Sequence, residues 1–232
     1  MQANDISIHN VTESFVDKLL RKMRLARVLP SIKLFKNPRL LDIGCGFEAK
    51  LLQEIEDYIA KGVGIDYKAP EIHTDKIQTF SYIFESKYEL GLETSQAIIG
   101  GGGAESSENT ACQQPHQADI SLPFENESFE IITMLAVIEH LSNPIAMLRE
   151  IERLLVPNGI LLLTAPSHAA KPVLEFLSYK LHIIDEREIR DHKRYYNKRD
   201  FIEFLAQVPK LKLIQHNYFQ CGMNNFLKAQ KC

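Results

Sequence analysis

A short apolar run that breaks into a glycine-rich turn is the feature that most constrains how this sequence can fold. The run extends from Leu40 to Ile43, and Gly44 and Gly46 follow it. After the turn, residues 49–60 carry apolar side chains at helical spacing. Glycine lets the backbone turn sharply and approach a ligand closely, and a helix that begins there points its unpaired N–H groups into the turn. The sequence therefore predicts a strand, a tight turn and a helix, an arrangement that typically holds a nucleotide-like ligand.

The charge beside the turn indicates which kind of ligand fits. The pattern Gly44-x-Gly46-x-x-Ala49 matches the loose dinucleotide fingerprint, which is not specific and leaves a nicotinamide-dependent oxidoreductase as an alternative. Asp42 lies two residues before the first glycine, where its carboxylate would repel a pyrophosphate. An acid at this position favours a cationic ligand, such as one with an amino-acid ammonium and a sulfonium. A turn that merely joins a strand to a helix is the remaining interpretation.

A second acid follows at the spacing of a ribose-binding residue. Residues 62–66 form a short apolar run that ends in Asp66, which lies 20 positions after Gly46. At that distance a βαβ unit places a carboxylate to receive two ribose hydroxyls. Tyr67 comes next and is expected to lie along an adenine ring. An aspartate at a strand end can also be only a cap for the next helix.

Strand and helix patterns alternate along the rest of the chain, which places the protein in the α/β class. Residues 77–88 fit either a helix or a strand. The expected later elements are a strand at 129–135, a helix at 144–156, a turn at 157–159, a strand at 160–165, a helix at 200–208 and two last strands, possible partners in a hairpin, at 211–216 and 225–229.

The bulk composition excludes several function classes. The 232 residues carry a net charge of −3, so no overall field draws the protein to nucleic acid or to an anionic membrane. The 4 cysteines are widely spaced and make no zinc-binding pattern. The polar N-terminal segment lacks a signal-peptide core, and the longest apolar run, at 160–163, is too short to cross a bilayer. We therefore expect a cytoplasmic protein without a transmembrane segment; the sequence leaves its oligomeric state open.

Four sequence blocks occur in an order that is typical of one enzyme family. They are Asp42-x-Gly44-x-Gly46, then Asp119 with Leu-Pro-Phe at 122–124, then Glu-His-Leu at 139–141, and last Leu-x-Pro-x-Gly at 155–159. Together they cover Arg39 to Pro166 and resemble the class I S-adenosylmethionine-dependent methyltransferases, most closely the type-11-like branch. Two positions depart from the family pattern: Glu48 stands where a third glycine is usual, and Asn158 replaces the first of two glycines.

The resemblance implies both a fold and a cofactor. The implied fold is the Rossmann-like α/β fold of class I methyltransferases, a seven-stranded, mostly parallel sheet with the last strand antiparallel and helices on both faces. The implied cofactor is S-adenosyl-L-methionine (SAM). In the family, an acid at the position of Asp119 accepts the adenine amino group, and the backbone of the next residue contacts the ring. The implied cofactor-binding residues are Asp42, Gly44, Cys45, Gly46, Asp66, Tyr67, Asp119, Ile120 and Leu135.

The same resemblance divides the chain into parts. We expect a single methyltransferase domain over residues 1–232, in which a helix at 11–28, ended by Pro30, lies before the first strand. Four consecutive glycines at 100–103 lead into a segment with few apolar residues, which predicts a flexible insertion. The expected parts are an N-terminal helical cap (1–36), the flexible insertion (85–117) and an insert on the acceptor side (167–200).

The expected reaction is transfer of a methyl group to a small-molecule, lipid or sugar acceptor. His140 is the leading candidate base, because it follows the fourth strand beside the expected methyl position and an imidazole accepts a proton near neutral pH. A structural histidine that caps the turn is the alternative. His192 and Tyr195 are further candidates, since His-x-Arg-Tyr-Tyr resembles an insert that family members place over the acceptor. The basic stretch at 187–194 also admits an anionic or phosphate-bearing acceptor, whereas nucleic acid is disfavoured.

Two further possibilities follow from departures in the family pattern. Related quinone-type enzymes can hold a metal through Glu-x-x-Glu-His, but Ala136 stands in the first of these positions, so no metal site is predicted. A catalytically degenerate SAM-binding module remains an alternative to an enzyme, because of Glu48 and the long insertion.

Overall fold

The computed structural model describes residues 15–83, 120–172 and 194–232. The helices in these ranges are α1 (Phe15–Ile32), α2 (Lys50–Ile55), α3 (Pro144–Leu154) and α4 (Lys198–Ala206), with short 3₁₀ helices at Glu56–Tyr58 and Ile138–His140. The strands are β1 (Arg39–Ile43), β2 (Lys61–Asp66), β3 (Ile77–Ser81), β4 (Phe129–Leu135), β5 (Leu155–Pro166), β6 (Leu211–Phe219) and β7 (Asn224–Lys231). The predicted flexible insertion lies outside the described residues.

The strands form one seven-stranded sheet in the order β3-β2-β1-β4-β5-β7-β6. The pairs from β3 through β5 are parallel, whereas β7 runs antiparallel to both β5 and β6. The last strand therefore inserts between the fifth and the sixth. The predicted fold class, with a mostly parallel sheet and an antiparallel last strand, is confirmed.

Helices cover both faces of the sheet. Neighbouring residues along a strand point to opposite faces, and Leu40 and Leu41 of β1 accordingly belong to different apolar clusters. The cluster of Leu40 includes Val28 and Ile32 of α1 together with Leu52 and Ile55 of α2. The cluster of Leu41 includes residues of the other two helices, namely Met147, Ile151, Phe201 and Leu205. Each fully buried leucine or isoleucine stabilises the fold by about 1.5–3 kcal/mol, so these contacts fix the helices on the sheet.

The first helix does not end at Pro30 as predicted. It continues to Ile32, with Pro30 inside its last turn. Val28 and Ile32 are one helical turn apart, and both are completely buried against the sheet. The burial of both side chains offsets the hydrogen bond that proline cannot donate.

Other element boundaries also differ from the prediction: α3 ends at Leu154, α4 begins at Lys198, and β6 and β7 are longer than expected. The helix after the glycine turn is regular only from Lys50 to Ile55 and then tightens into a 3₁₀ turn. The turn predicted at 157–159 lies within β5, where the pairing with β4 shifts register between Phe129 and Ile131. Asn158 adopts a φ of 65° there, a conformation that asparagine tolerates better than most residues. The undecided segment after residue 77 begins as strand β3.

The strand order determines where a ligand can bind. From β1 the chain moves outward to β2 and β3 and then returns to β4 on the other side of β1. Ligands of open α/β sheets bind outside the carboxyl ends of the strands at such a reversal. Among residues 15–83, 120–172 and 194–232, no helix combines the length and the apolar character needed to cross a bilayer.

Candidate functional site

The glycine turn lies at the carboxyl end of β1, where the strand order reverses. Its backbone is held by the end of β2, because the amides of Gly44 and Cys45 both donate to the carbonyl oxygen of Ile65, at 2.7 and 3.2 Å. Gly44 has a φ of 77°, and a Cβ there would overlap the side chain of Val137, which follows β4. Gly46 has a φ of 70°, but apart from its chain neighbours no atom of the described residues lies within 4 Å of where its Cβ would be. The turn is therefore closed on one side and open above Gly46.

Asp66 reaches from the end of β2 into this turn. Its Oδ2 accepts a hydrogen bond from the Gly46 amide at 3.1 Å, and its Oδ1 accepts one from the Lys68 amide at 2.9 Å. The bond to Lys68 closes a turn, and no helix lies in the described residues between β2 and β3 for Asp66 to cap. The bond to Gly46 places the carboxylate beside the open space. Each oxygen keeps a second lone pair for a ligand. Tyr67, next in sequence, is 59% exposed.

Asp42 lies beneath the turn and is only 3% exposed. Thr133 of β4 donates a hydrogen bond from Oγ1 to its Oδ1 at 2.6 Å. Burial raises the pKa of Asp42 to about 7, the hydrogen bond from Thr133 opposes this rise, and the charge of Asp66 adds to it. From the sequence we expected Asp42 to carry a fixed negative charge. In the structure its ionisation near neutral pH depends on the charges beside it.

The remaining residues expected at the cofactor site lie around the turn at different depths. Cys45 is buried, its sulfur packs against Gly64, and burial raises the pKa of its thiol, so it is a packing residue in its protonated form. Leu135 is half-buried and packs on the α1 and α2 face, whereas Ile120 packs on the opposite face. Asp119 lies outside the described residues.

The segment after β4 carries the predicted base. Ala136 has a φ of 59°, and the 3₁₀ helix Ile138–His140 follows. His140 ends this short helix in a half-buried position, and its amide donates to the carbonyl oxygen of Val137 at 3.0 Å. The predicted base therefore lies three residues beyond the side chain that closes the glycine turn.

Glu139 is a residue whose position the sequence did not reveal. It is 1% exposed, and its Oε2 has no hydrogen-bond partner among the residues that the structure describes. Burial raises its pKa to about 7, and the positive charge of Arg24 in α1 opposes the rise. The sequence signal was the Glu-His-Leu block alone, which does not show whether the acid faces solvent or protein.

A cleft lies next to this segment, beyond the carboxyl end of β5. Six residues line a cavity of about 370 Å³, which we name the Tyr196 cleft: His168, Arg194, Tyr195, Tyr196, Asp200 and Phe204. Of the predicted catalytic residues, Tyr195 lines the cleft, His140 does not, and His192 lies outside the described residues. No group of three or more His, Cys, Asp or Glu side chains in the described part of the chain is arranged to hold a metal ion.

Several hydrogen bonds fix the backbone and the ring of Tyr196 to the sheet. Its amide donates to the carbonyl oxygen of Pro166 at 3.1 Å, and its carbonyl oxygen accepts from Asn225 Nδ2 at 3.0 Å. Its hydroxyl donates to the carbonyl oxygen of Ile138 at 3.3 Å. The cleft is thus tied to the segment that also carries Val137 and His140.

Comparison with known proteins gives the family. A family model described as a methyltransferase domain matches residues 13–208. The demethylmenaquinone methyltransferase of Staphylococcus saprophyticus is 22% identical over 203 residues, which are 86% of this chain and 76% of that protein. The sterol 4-C-methyltransferase strm-1 of Caenorhabditis elegans is 23% identical over 186 residues, 79% of this chain. The chain spans 43% of the length of that sterol enzyme.

A solved structure agrees with this match at the level of the fold. The S-adenosylmethionine-dependent methyltransferase of Mesorhizobium loti superposes with a TM-score of 0.56 over 88% of this chain and 98% of that one, at 10% identity. The sheet order with its antiparallel seventh strand and the match to most of the chain agree with the four sequence blocks. The chain belongs to the class I S-adenosylmethionine-dependent methyltransferase family, consistent with its type-11-like branch.

Proposed function

We propose that this protein transfers a methyl group from SAM to a small-molecule acceptor. The observation that supports this most directly is the Asp66 carboxylate, which bonds to the Gly46 amide at the edge of the open space over the glycine turn. A ligand with a ribose and a cationic group fits there, since Asp66 offers free lone pairs and Asp42 lies beneath the same turn. When bound, SAM supplies a methyl group on a sulfonium, which is already a good leaving group.

The residues of this chain bind the cofactor and orient it. Asp66 accepts the ribose hydroxyls, and Gly46 leaves room for close approach of the ligand. A cation beside Asp42 lowers the pKa of that carboxyl and keeps it ionised. The adenine is assigned to Tyr67, Asp119 and Ile120, the residues that the family resemblance gives for it, and Leu135 stays a further proposed cofactor contact.

The acceptor is assigned to the Tyr196 cleft, and a base is needed only if the acceptor is a hydroxyl. His140 is the proposed base, with Tyr195 and His192 as alternatives. The names of two relatives give a sterol and demethylmenaquinone as what those proteins methylate, which favours a small molecule or lipid over a macromolecule. A sugar and an anionic acceptor stay within the proposal. The rate of methyl transfer by His140→Ala, measured with an identified hydroxyl acceptor, tests whether His140 is the base.

Calorimetric titration of the full chain tests the cofactor. We expect SAM to bind with micromolar affinity and NAD not to bind, because a pyrophosphate would meet the Asp42 carboxyl two positions before Gly44. Asp66→Ala should weaken SAM binding by roughly 1–3 kcal/mol, since ribose hydroxyls would lose their partner. The matched control is Asp57→Ala, an exposed acid after α2, which should bind SAM normally. Heat with NAD and none with SAM would support the oxidoreductase alternative and overturn the proposal.

Binding alone does not separate an enzyme from a degenerate SAM-binding module. Incubation of the protein with SAM that is tritiated in its methyl group, against a metabolite extract, measures transfer directly. Label in a product that depends on the protein supports the enzyme. SAM binding without label in any product supports the module.

A further inference from the structure

Three buried polar side chains near the carboxyl end of β5 are incompletely hydrogen-bonded. Thr164 is completely buried, and Asn224 and Gln220 are 7% and 9% exposed. Asn224 Nδ2 donates to Gln220 Oε1 at 3.0 Å, but Thr164 Oγ1, Asn224 Oδ1 and Gln220 Nε2 have no hydrogen-bond partner among the described residues. A buried polar atom without a partner destabilises the fold relative to one that water can reach. We name these three residues the Thr164 cluster.

The Thr164 cluster lies on the face of the sheet that α1 covers. Thr164 is two residues after Leu162, so both side chains point to one face, and Leu162 belongs to the apolar cluster of α1. Asn224 is paired with Phe219, another member of that apolar cluster. The guanidinium of Arg27 in α1 lies over the Phe219 ring, 5.5 Å from its centroid. The helix therefore crosses the sheet at the level of the Thr164 cluster.

The two parts of α1 are held on the body of the protein with different strength. Val28 and Ile32 are completely buried, whereas none of residues 18–27 is buried. The contacts of residues 18–27 include the ion pair of Arg21 with Glu54 of α2 and the stacking of Arg27 on Phe219. Ion pairs and cation–π contacts near the surface are weak. The helix is therefore anchored mainly by its carboxyl-terminal part.

A proline lies at the change between these two parts. Pro30 has no N–H, so the helical hydrogen bond to the carbonyl oxygen of Ala26 is missing. Helices bend sharply at such positions. A detached segment of about ten residues is also too short to be a stable helix in water. Residues 18–27 can therefore leave the sheet and lose their helical bonds while Val28 and Ile32 stay buried.

We propose that residues 18–27 form a lid, which opens at the turn before Pro30 and lets water reach the Thr164 cluster. Hydrogen bonds from water to three buried polar atoms offset the loss of the weak contacts of the closed lid. The lid lies at the carboxyl ends of the strands, where open α/β sheets bind their ligands, so its opening controls access to that edge. The opening is a property of the chain itself and goes beyond the proposed methyl transfer.

Amide hydrogen exchange of the full chain, followed by mass spectrometry, tests the lid. We expect the amides of residues 20–27 to exchange at least about tenfold faster than those of residues 28–32, because local opening exposes the first segment and leaves the second in place. Equal exchange rates in the two segments would overturn the proposal.

Two buried threonines provide a matched pair of variants that separates a lid from simple fraying. Thr164→Val removes a hydroxyl that gains from water only when the lid is open, so exchange of residues 20–27 should slow by at least about threefold. Thr79 of β3 is equally buried, but its Oγ1 accepts from the Ile72 amide at 3.0 Å. Thr79→Val should lower the melting temperature and leave exchange of residues 20–27 unchanged. Exchange in Thr164→Val at the rate of the parent would mean fraying alone and would overturn the lid.

Two basic residues of the lid give the opposite test. Arg21→Gln removes the ion pair with Glu54, so exchange of residues 20–27 should become about twofold faster or more. Lys22→Gln, on an exposed neighbour, should exchange like the parent. Equal rates in both variants would contradict a lid held by this ion pair.

These outcomes are independent of cofactor binding. If SAM binds but residues 20–27 exchange as slowly as residues 28–32, the lid is wrong and methyl transfer stands. If exchange responds to Thr164→Val as expected while SAM does not bind, the lid is supported and the methyl-transfer proposal fails.

Discussion

At the scale of single residues, the two glycines of the turn are required for different reasons. Gly44 has no room for a side chain, because Val137 occupies the space where its Cβ would be. Gly46 has room, but its φ of 70° is one that residues with a Cβ rarely adopt. Gly44 therefore lets the turn pack against the segment after β4. Gly46 adopts a backbone conformation that a residue with a Cβ would reach only with strain.

We expect the two glycine-to-alanine variants to differ in stability. Gly46→Ala should lower the free energy of unfolding by roughly 1–2 kcal/mol, from backbone strain alone. Gly44→Ala should lower it by roughly 2–5 kcal/mol, because overlap with Val137 adds about 1–3 kcal/mol to the strain. Denaturant unfolding measures both values. In Gly44→Ala/Val137→Ala the overlap is removed, so a double-mutant cycle should give a coupling of at least about 1 kcal/mol. Equal losses and no coupling would contradict this account.

The sequence predicted the position of the acids but not their environments. The spacing of Asp66 from Gly46 is a local property of one βαβ unit, and the structure places the two in contact. The bond between Thr133 and Asp42 joins residues 91 positions apart and depends on the register of β4 against β1. Whether Glu139 is buried depends on α1 as well, since Arg24 lies beside it. Such long-range facts have no signature in a local pattern.

At the scale of elements, α4 illustrates how a helix start sets a binding surface. Asn197 caps the helix, because its Oδ1 accepts hydrogen bonds from the amides of Arg199 and Asp200. In return, the Asp200 carboxylate accepts a hydrogen bond from the Asn197 amide. The same capping box holds Asp200 at the edge of the Tyr196 cleft.

Removal of this cap should destabilise the protein measurably. Asn197→Ala should lower the free energy of unfolding by about 1 kcal/mol, the usual loss at such a position. Asn197→Ser is the matched control, since serine also accepts bonds from helix amides, and it should lose much less. Thermal unfolding at neutral pH compares the two variants. If serine is as harmful as alanine, the capping bonds in α4 do not contribute as the structure implies.

Helices and strands were predictable where the apolar periodicity was strong, whereas the residues at which they begin and end were less predictable. Strand β4 was predicted with the bounds that the structure shows, because its residues are apolar and mostly buried. The end of α1 was misplaced because proline is normally a boundary, whereas here the burial of Val28 and Ile32 extends the helix. The start of β5 was misplaced because a Pro-Asn-Gly sequence normally marks a turn, whereas here it forms an irregularity within a paired strand.

At the scale of the whole molecule, buried acids make stability depend on pH. Burial raises the pKa of Glu139 from 4.5 to about 7. Between these values the folded protein holds a proton that the unfolded chain has released, so the free energy of unfolding falls as the pH rises from about 4.5 to about 7. Above that range the contribution of this group is constant. The full contribution is at most roughly 3 kcal/mol.

We therefore expect Glu139→Gln to be more stable than the parent at pH 8 and to lose less stability between pH 5 and pH 7. Glutamine has no charge to bury, so the pH dependence of the free energy of unfolding that Glu139 causes is removed. Urea unfolding at several pH values measures the difference. Glu203→Gln, on an exposed residue of α4, is the control and should follow the parent. A Glu139→Gln curve parallel to that of the parent would mean that the Glu139 carboxyl does not carry this proton.

The overall fold was the most predictable property of the molecule. The order of the four blocks predicted the sheet, because the blocks lie at the end of β1, before and after β4, and at the start of β5. The Tyr196 cleft was less predictable, since its walls come from the end of β5 and from residues 194–204. The sequence singled out Tyr195 there, but it gave no reason to connect Phe204 with His168.

The hydrogen bonds of Asn225 affect how such a protein can change its preference for one acceptor over another during evolution. This buried residue of β7 bonds to the carbonyl oxygens of Ala165 and Tyr196, and His216 contacts its Oδ1 at 2.9 Å. These bonds hold the main chain at position 196, whereas the buried Tyr196 side chain is part of the core. Substitutions at the neighbouring Tyr195, which lines the cleft, can therefore accumulate and diversify what enters the cleft, while the inherited sheet and its backbone anchor are left as they were.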